Sequence, residues 1–313
     1  MEYIILIVTL VGIVFGADLL VAGAVSVARR YKVSDFVIGA AIVGIGTSMP
    51  ELVVSFFGAL KGNADVAIGN VVGSNIFNVL GILGMTAICY PIAIDKKNMT
   101  FEMPFCIVVS VLVTLLALNF FNGTPATISR IDGLILILLF FGYMYYSFVR
   151  DKKNAQQAPV EANEPILSLW KSILKVVGGL ALLIVSCDFF VDSAVSIAKS
   201  WGVSDAIISL TLIACGTSLP ELAASVVAAF KKNTQLALGN IVGSNIFNIL
   251  LILGLSSQVM PLTSAGITVV DYGVMIGAAI VPLLFGFNKK IGRVGGALMV
   301  IAFAVYTWYL IAG

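Results

Sequence analysis

Two glutamates stand in long apolar runs, Glu51 in GTSMPE (Gly46–Glu51) and Glu221 in GTSLPE (Gly216–Glu221). Each has a threonine four residues before it, Thr47 or Thr217, and a serine three before it, Ser48 or Ser218. On a helix, residues three and four apart share a face, so each block would gather one carboxylate and two hydroxyls. Pro50 and Pro220 cannot donate to the carbonyls four residues back, and their rings push those carbonyls away. Gly44 and Gly46 loosen the same turn. The spacing predicts a broken helix with uncommitted carbonyls beside a carboxylate. Every donor there is an oxygen, the set that hard cations such as Ca2+ and Na+ prefer.

A second pair of blocks, GNVVGSNIFNVL (Gly69–Leu80) and GNIVGSNIFNIL (Gly239–Leu250), places Ser74 four residues before Asn78 and Ser244 four before Asn248. A hydroxyl and an amide therefore share a helix face in each copy. The glycines at 69, 73, 239 and 243 form small-xxx-small pairs that let helix backbones approach closely. A glutamate in hydrocarbon costs a few kcal/mol or more, and a buried ion pair would be the bland explanation. No lysine or arginine lies deep in an apolar run to serve as the partner.

The elements that must position these groups are membrane spans. The chain of 313 residues is 60% hydrophobic and 11% charged, with a mean hydropathy of +1.08. Soluble domains carry about 25% charged residues, so an all-α integral membrane protein is expected; the runs are too long and too little alternating for a barrel. Ten spans are expected at about 3–28, 33–60, 65–90, 103–121, 131–149, 167–198, 203–230, 236–260, 266–287 and 292–312, the first read as a span and not as a removable leader. The polar segment Arg150–Pro165 reads as a linker.

That linker separates two copies of one sequence. DLLVAGAVSVARRYKVSD from Asp18 answers DFFVDSAVSIAKSWGVSD from Asp188, and the offset is 170 residues throughout. Each copy holds five spans, an odd number, so the second must enter the bilayer from the opposite side. The expected organisation is a first inverted repeat at 1–149, a cytoplasmic linker at 150–166 and a second inverted repeat at 167–313, with helices 2, 3, 7 and 8 broken. Inverted repeats are a transporter architecture with the binding site at the repeat interface near mid-membrane. Lysine and arginine crowd one set of loops (Arg29, Arg30, Lys32, Lys96, Lys97, Arg150, Lys231, Lys232, Lys289, Lys290, Arg293), against Lys61, Arg130 and Lys199 on the other. The basic face is expected to be cytoplasmic, with both termini outside a cell membrane.

Other features narrow the chemistry. The chain has no histidine, which removes histidine catalysis and histidine-based zinc sites. Cys89, Cys106, Cys187 and Cys215 are scattered and read as packing residues. A net charge of +2 offers no stripe for nucleic acid. Asp35, Asp65 and Asp205 sit where helices begin, and capping and dipole placement account for them. Asp18, Asp188 and Asp192 lie inside spans 1 and 6, where they either line an ion path or fix those helices. An intramembrane enzyme would need a nucleophile with its base, or a diphosphate partner, and the duplicated motifs supply neither.

The paired GTSxPE and GNxxGSNxxN blocks resemble the alpha repeats of sodium/calcium exchangers, in the calcium/cation antiporter superfamily. The resemblance implies ten helices, alternating access and no cofactor, the bilayer as partner, and Ca2+ and Na+ as transported ligands competing for one cluster. Carried over by position, it implies Glu51 and Glu221 as Ca2+ ligands with the carbonyls of Thr47 and Thr217. It implies Na+ sites at Ser48, Ser74 and the Gly44 carbonyl, and at Ser218, Ser244 and the Ala214 carbonyl. Asn78 and Asn248 are supporting polar ligands. Potassium-dependent members tend to have Asp at 78/248, so Asn there favours potassium independence; proton- or potassium-coupled divalent exchange is the alternative.

Overall fold

The protein was analysed as a computed structural model that describes residues 2–118, 127–155, 167–201, 214–263 and 266–312. Among the described residues its apolar runs form helices. α1 is Glu2–Tyr31; the next run is split into α2 (Asp35–Thr47) and α3 (Met49–Leu60); α4 is Ala64–Cys89, α5 Asn98–Ala117 and α6 Arg130–Ala155. In the second half α7 is Leu169–Ser200, α8 the short turn Ala214–Gly216, α9 Leu219–Phe230, α10 Thr234–Val259, α11 Val269–Gly286 and α12 Arg293–Ala312.

Among the described residues, eight helices are long and apolar enough to cross a bilayer, and the bent pair α2–α3 makes a ninth. α9 occupies the second half of the expected seventh span. Residues 203–213 of that span, Asp205 with them, lie outside the described residues, as do 156–166 of the expected linker. Span 4 begins at Asn98, earlier than the hydrophobic run suggested, because its first turn is polar.

Short ribbons mark the two ends of the bundle. At one, β1 (Ile92–Ala93) pairs antiparallel with β4 (Lys290–Ile291), Ile92 facing Ile291. Nearby, the Asp151 carboxylate takes the Lys97 ammonium and the Ser34 N–H, and Asn233 donates to Asp35 at 2.9 Å. The lysine- and arginine-rich loops thus gather at this end. At the other, β2 (Thr127–Ile128) pairs with β3 (Leu262–Thr263), and the Gly266 N–H donates to Asp65 at 2.9 Å. α4 joins the two ends, its 26 residues rising about 39 Å.

α4 and α10 form the buried centre, while α1, α7 and α12 expose broad apolar faces of the kind lipid covers. α1 and α7, the first helices of the two repeats, pack along each other. They cross where Gly16 meets Gly179: a Cβ on Gly16 would lie 2.8 Å from the Leu183 nitrogen. Ser172 and Ser26 join the same pair by a 2.8 Å hydroxyl bond.

The starts of α2, α4 and α10 are capped, in the first two by neighbours of the expected aspartates. Ser34 caps α2, and Asn63 and Asn233 cap α4 and α10 through bonds of 3.1 Å to Val66 and Leu236 N–H. Asp35 and Asp65 stand in the first turns, where a negative charge suits the helix dipole.

A candidate ion-binding site between the two repeats

The break foreseen at GTSMPE is present. α2 ends at Thr47, Ser48 leaves the helical region with ψ near 11°, and α3 starts at Met49 with its axis turned by 49°. Pro50 sits in the first turn of α3, where its missing N–H costs nothing. Just upstream, Gly39–Gly44 is wound as a π-helix. The second copy repeats the form, with Ser218 between α8 and α9 and Pro220 in the first turn of α9.

The breaks expected in helices 3 and 8 are absent. α4 and α10 run continuously, each widening into π turns at Phe77–Leu83 and Asn248–Ile252. Neither segment contains proline, so every residue keeps its N–H donor. The extra length is absorbed as i→i+5 bonding and does not interrupt the helix.

Glu51 and Glu221 are fully buried. The kink at Ser48 also corrects the expected sharing of one face. Ser48 Oγ donates to Glu221 at 2.6 Å, and Ser218 Oγ donates to Glu51 at 2.7 Å. Each serine therefore serves the carboxylate of the other repeat, because the break turns it away from its own helix face. Ser218 Oγ also lies 3.5 Å from Ser74 Oγ, and Ser244 donates to the Gly44 carbonyl at 3.2 Å. Thr47 Oγ1 bonds to the Val43 carbonyl at 3.0 Å and lies 3.3 Å from Asn240. α8 brings the Ala214 backbone in immediately before Cys215 and the second GTSxPE block.

Two asparagine sets that the sequence reading passed over organise this core. Asn70 donates to the Glu51 carbonyl at 3.1 Å and to Ser55 at 2.9 Å; Asn240 does the same to Glu221 and Ser225, at 3.2 and 2.8 Å. Asn75 and Asn245 exchange side-chain-to-carbonyl bonds of 3.2 Å across the repeat interface. Their side-chain oxygens in turn accept from Asn248 and Asn78, both at 3.1 Å. Each pair obeys the 170-residue offset, so the duplication itself carried the signal.

What remains unsatisfied defines the chemistry. Oε2 of Glu51, Oε2 of Glu221, Oδ1 of Asn78, Oδ1 of Asn248 and Oγ1 of Thr217 are buried without a hydrogen-bond partner. Buried polar atoms are rarely left so. Among the described residues neither glutamate has a lysine or arginine partner, so the bland reading as an ion pair falls. Four of these five orphaned oxygens, two carboxylate and two amide, can only accept, and the fifth is a hydroxyl with lone pairs to spare, a set that a cation satisfies.

The model of the sodium/calcium exchanger protein family matches residues 1–149 and 171–312. The chain belongs to the sodium/calcium exchanger family. This family member is 39% identical to the CaxA protein of Alkalimonas amylolytica over 98% of both chains. It is 31% identical to the sodium/calcium exchanger MaX1 of Methanosarcina acetivorans over 99% of both. A solved structure of the sodium-calcium exchanger NCX_Mj, soaked without Na+ or Ca2+, superposes with a TM-score of 0.85 at 31% identity, covering 99% of this chain and 98% of that one. The exchanger is thus a multi-pass membrane protein of an antiporter family, a class of transporters and not of enzymes.

Proposed function

We propose that this exchanger swaps Na+ for Ca2+ by alternating access, at the buried core between two inverted five-helix repeats at 1–149 and 167–313. The observation that carries the reading is the reciprocal Ser48–Glu221 and Ser218–Glu51 pairing with the second carboxylate oxygens left free. Glu51 and Glu221, with the Thr47 and Thr217 carbonyls, form the Ca2+ site. A serine hydroxyl that donates to a carboxylate still has lone pairs for a cation. Of the two expected Na+ sets, Ser48 keeps the Gly44 carbonyl and Ser218 the Ala214 carbonyl, but the contacts favour exchanging the outer serines: Ser244 joins Ser48 and Gly44, and Ser74 joins Ser218 and Ala214. Asn78 and Asn248 turn their unpartnered oxygens to the same ions.

Two carboxylates suit cargo better than a resident metal. One Ca2+ or two Na+ neutralise the pair, whereas the empty core holds buried negative charge. Occupied forms therefore reorient more readily than the empty form, which enforces exchange. A site of carboxylates, hydroxyls and carbonyls without an octahedral cage favours Ca2+ over Mg2+, which releases its water reluctantly.

A cavity of about 690 Å³ reaches both helix breaks from one side, lined by Met49, Pro50, Asp188, Thr217 and Pro220 among others. It lies on the half of the bundle that carries β2 and β3. The basic end with β1 and β4 is assigned to the cytoplasm, with the linker at 150–166, and both termini lie outside. The cavity then opens to the outside and stops at the helix breaks, with the two carboxylates still covered beneath it. Proteoliposomes loaded with Na+, K+ or a proton gradient test the coupling through uptake of radioactive Ca2+. Uptake driven by internal Na+ alone is expected; uptake that needs K+ or protons overturns the coupling ion and favours the alternative branch.

A further inference from the structure

Among the charged residues outside the core, one ion pair stands in a telling place. Lys231, at the end of α9, reaches the Asp18 carboxylate of α1 at 2.6 Å, with its Nζ 3.5 Å from the Asp18 carbonyl. The duplication supplies a second copy of both partners, because 18 and 188, and 61 and 231, differ by the same 170 residues. Asp188 and Lys61 form no ion pair among the described residues. Instead Asp188 lines the wall of the cavity that reaches the core, beside Thr217 and Pro220.

The formed pair and the open cavity lie on opposite halves of the bundle. Lys231 belongs to the basic end, where it ties α1 to α9. Its image would tie α7 to α3 on the half that carries the cavity. We propose that the two pairs are alternating latches: Asp18–Lys231 holds the cytoplasmic side shut while the outer cavity stands open. When the core opens inward this pair parts, and Asp188–Lys61 forms across the outer cavity. Asp18, Asp188, Lys61 and Lys231 are then positioning residues that set the balance between the two forms and bind no transported ion. This rests on the alternating-access reading above.

The pair is partly exposed, with side-chain accessibilities of 37% for Lys231 and 48% for Asp18. Exposed pairs of this kind shift an equilibrium only about two- to fivefold. That scale suits a latch that must release on every cycle.

The test uses two reporter cysteines that the repeat makes equivalent, Val195→Cys in the wall of the cavity and Val25→Cys at its image on α1. Both are placed in the full chain in proteoliposomes, with Cys89, Cys106, Cys187 and Cys215 replaced by alanine. The quantity read is the ratio of their alkylation rates by a small thiol reagent. Lys231→Gln is expected to lower the Val195-to-Val25 ratio about two- to fivefold, and Lys61→Gln to raise it. The exchanged pair Asp18→Lys with Lys231→Asp restores the native ratio. A ratio unmoved by either variant, or moved the same way by both, overturns the latch and leaves the pair a simple fastening. Na+-driven Ca2+ uptake by the unaltered protein is read separately. If it is present while the ratio stays fixed, the latch alone fails; if it is absent while the ratio moves, the coupling reading fails.

Discussion

Replacing Asn245 by alanine tests whether the asparagine clasp sets the ion site or merely cements the repeats. The side chain donates to the Asn75 carbonyl at 3.2 Å and accepts from the Asn78 amide at 3.1 Å. Removing it orphans two buried groups, at about 1–3 kcal/mol each. The expected loss is roughly 2–6 kcal/mol, which lowers the midpoint of thermal unfolding in detergent by about 5 °C or more. Asn78 also loses the bond that fixes its amide, and with it the orientation of its free oxygen. Groups that orient a ligand typically matter about 10–100-fold in metal affinity, so half-saturation by Ca2+ should rise by that order. A cycle with Asn78→Ala must be non-additive by about 0.5–3 kcal/mol, because the two side chains share a bond. An additive cycle, or a lower midpoint with unchanged Ca2+ affinity, would refute the claim that the clasp positions Asn78.

Three further outcomes follow from the structure. Ser218→Ala removes the hydroxyl that bonds Glu51 and serves the second Na+ site; the internal Na+ that half-drives uptake should rise about tenfold, on the scale of one hydrogen bond to a charge. A larger effect on the Ca2+ requirement than on Na+ would reverse that assignment. Gly243→Ala places a methyl against the backbone of Ala40 where α10 crosses α2, which should cost about 1–3 kcal/mol. Gly142→Ala, with open space around its Cβ, should be neutral or slightly stabilising in the same unfolding experiment.

Much of this was legible in the letters because the duplication doubled every signal. Glu51 and Glu221 were anomalies twice over, and proline beside each fixed where the helices part. The basic loops foretold which ends gather, and they do meet around Asp151 and β1. Three things were not legible. The continuous π turns of α4 and α10 depend on how a helix absorbs an extra residue, which composition does not encode. The exchange of Ser48 and Ser218 between repeats arises from a kink angle and from packing two copies face to face. The asparagines at 70, 75, 240 and 245 looked like ordinary polar residues of a helix, since each bonds a backbone carbonyl on another segment, which no motif displays.

The most direct test of the central claim is the position of the cation itself. Structures of the protein in Sr2+, a stand-in for Ca2+ with a strong anomalous signal, should show one peak within about 2.6 Å of carboxylate oxygens from both Glu51 and Glu221. The paired variant Glu51→Gln with Glu221→Gln should lose it. A peak elsewhere, or one that survives both substitutions, would contradict the account.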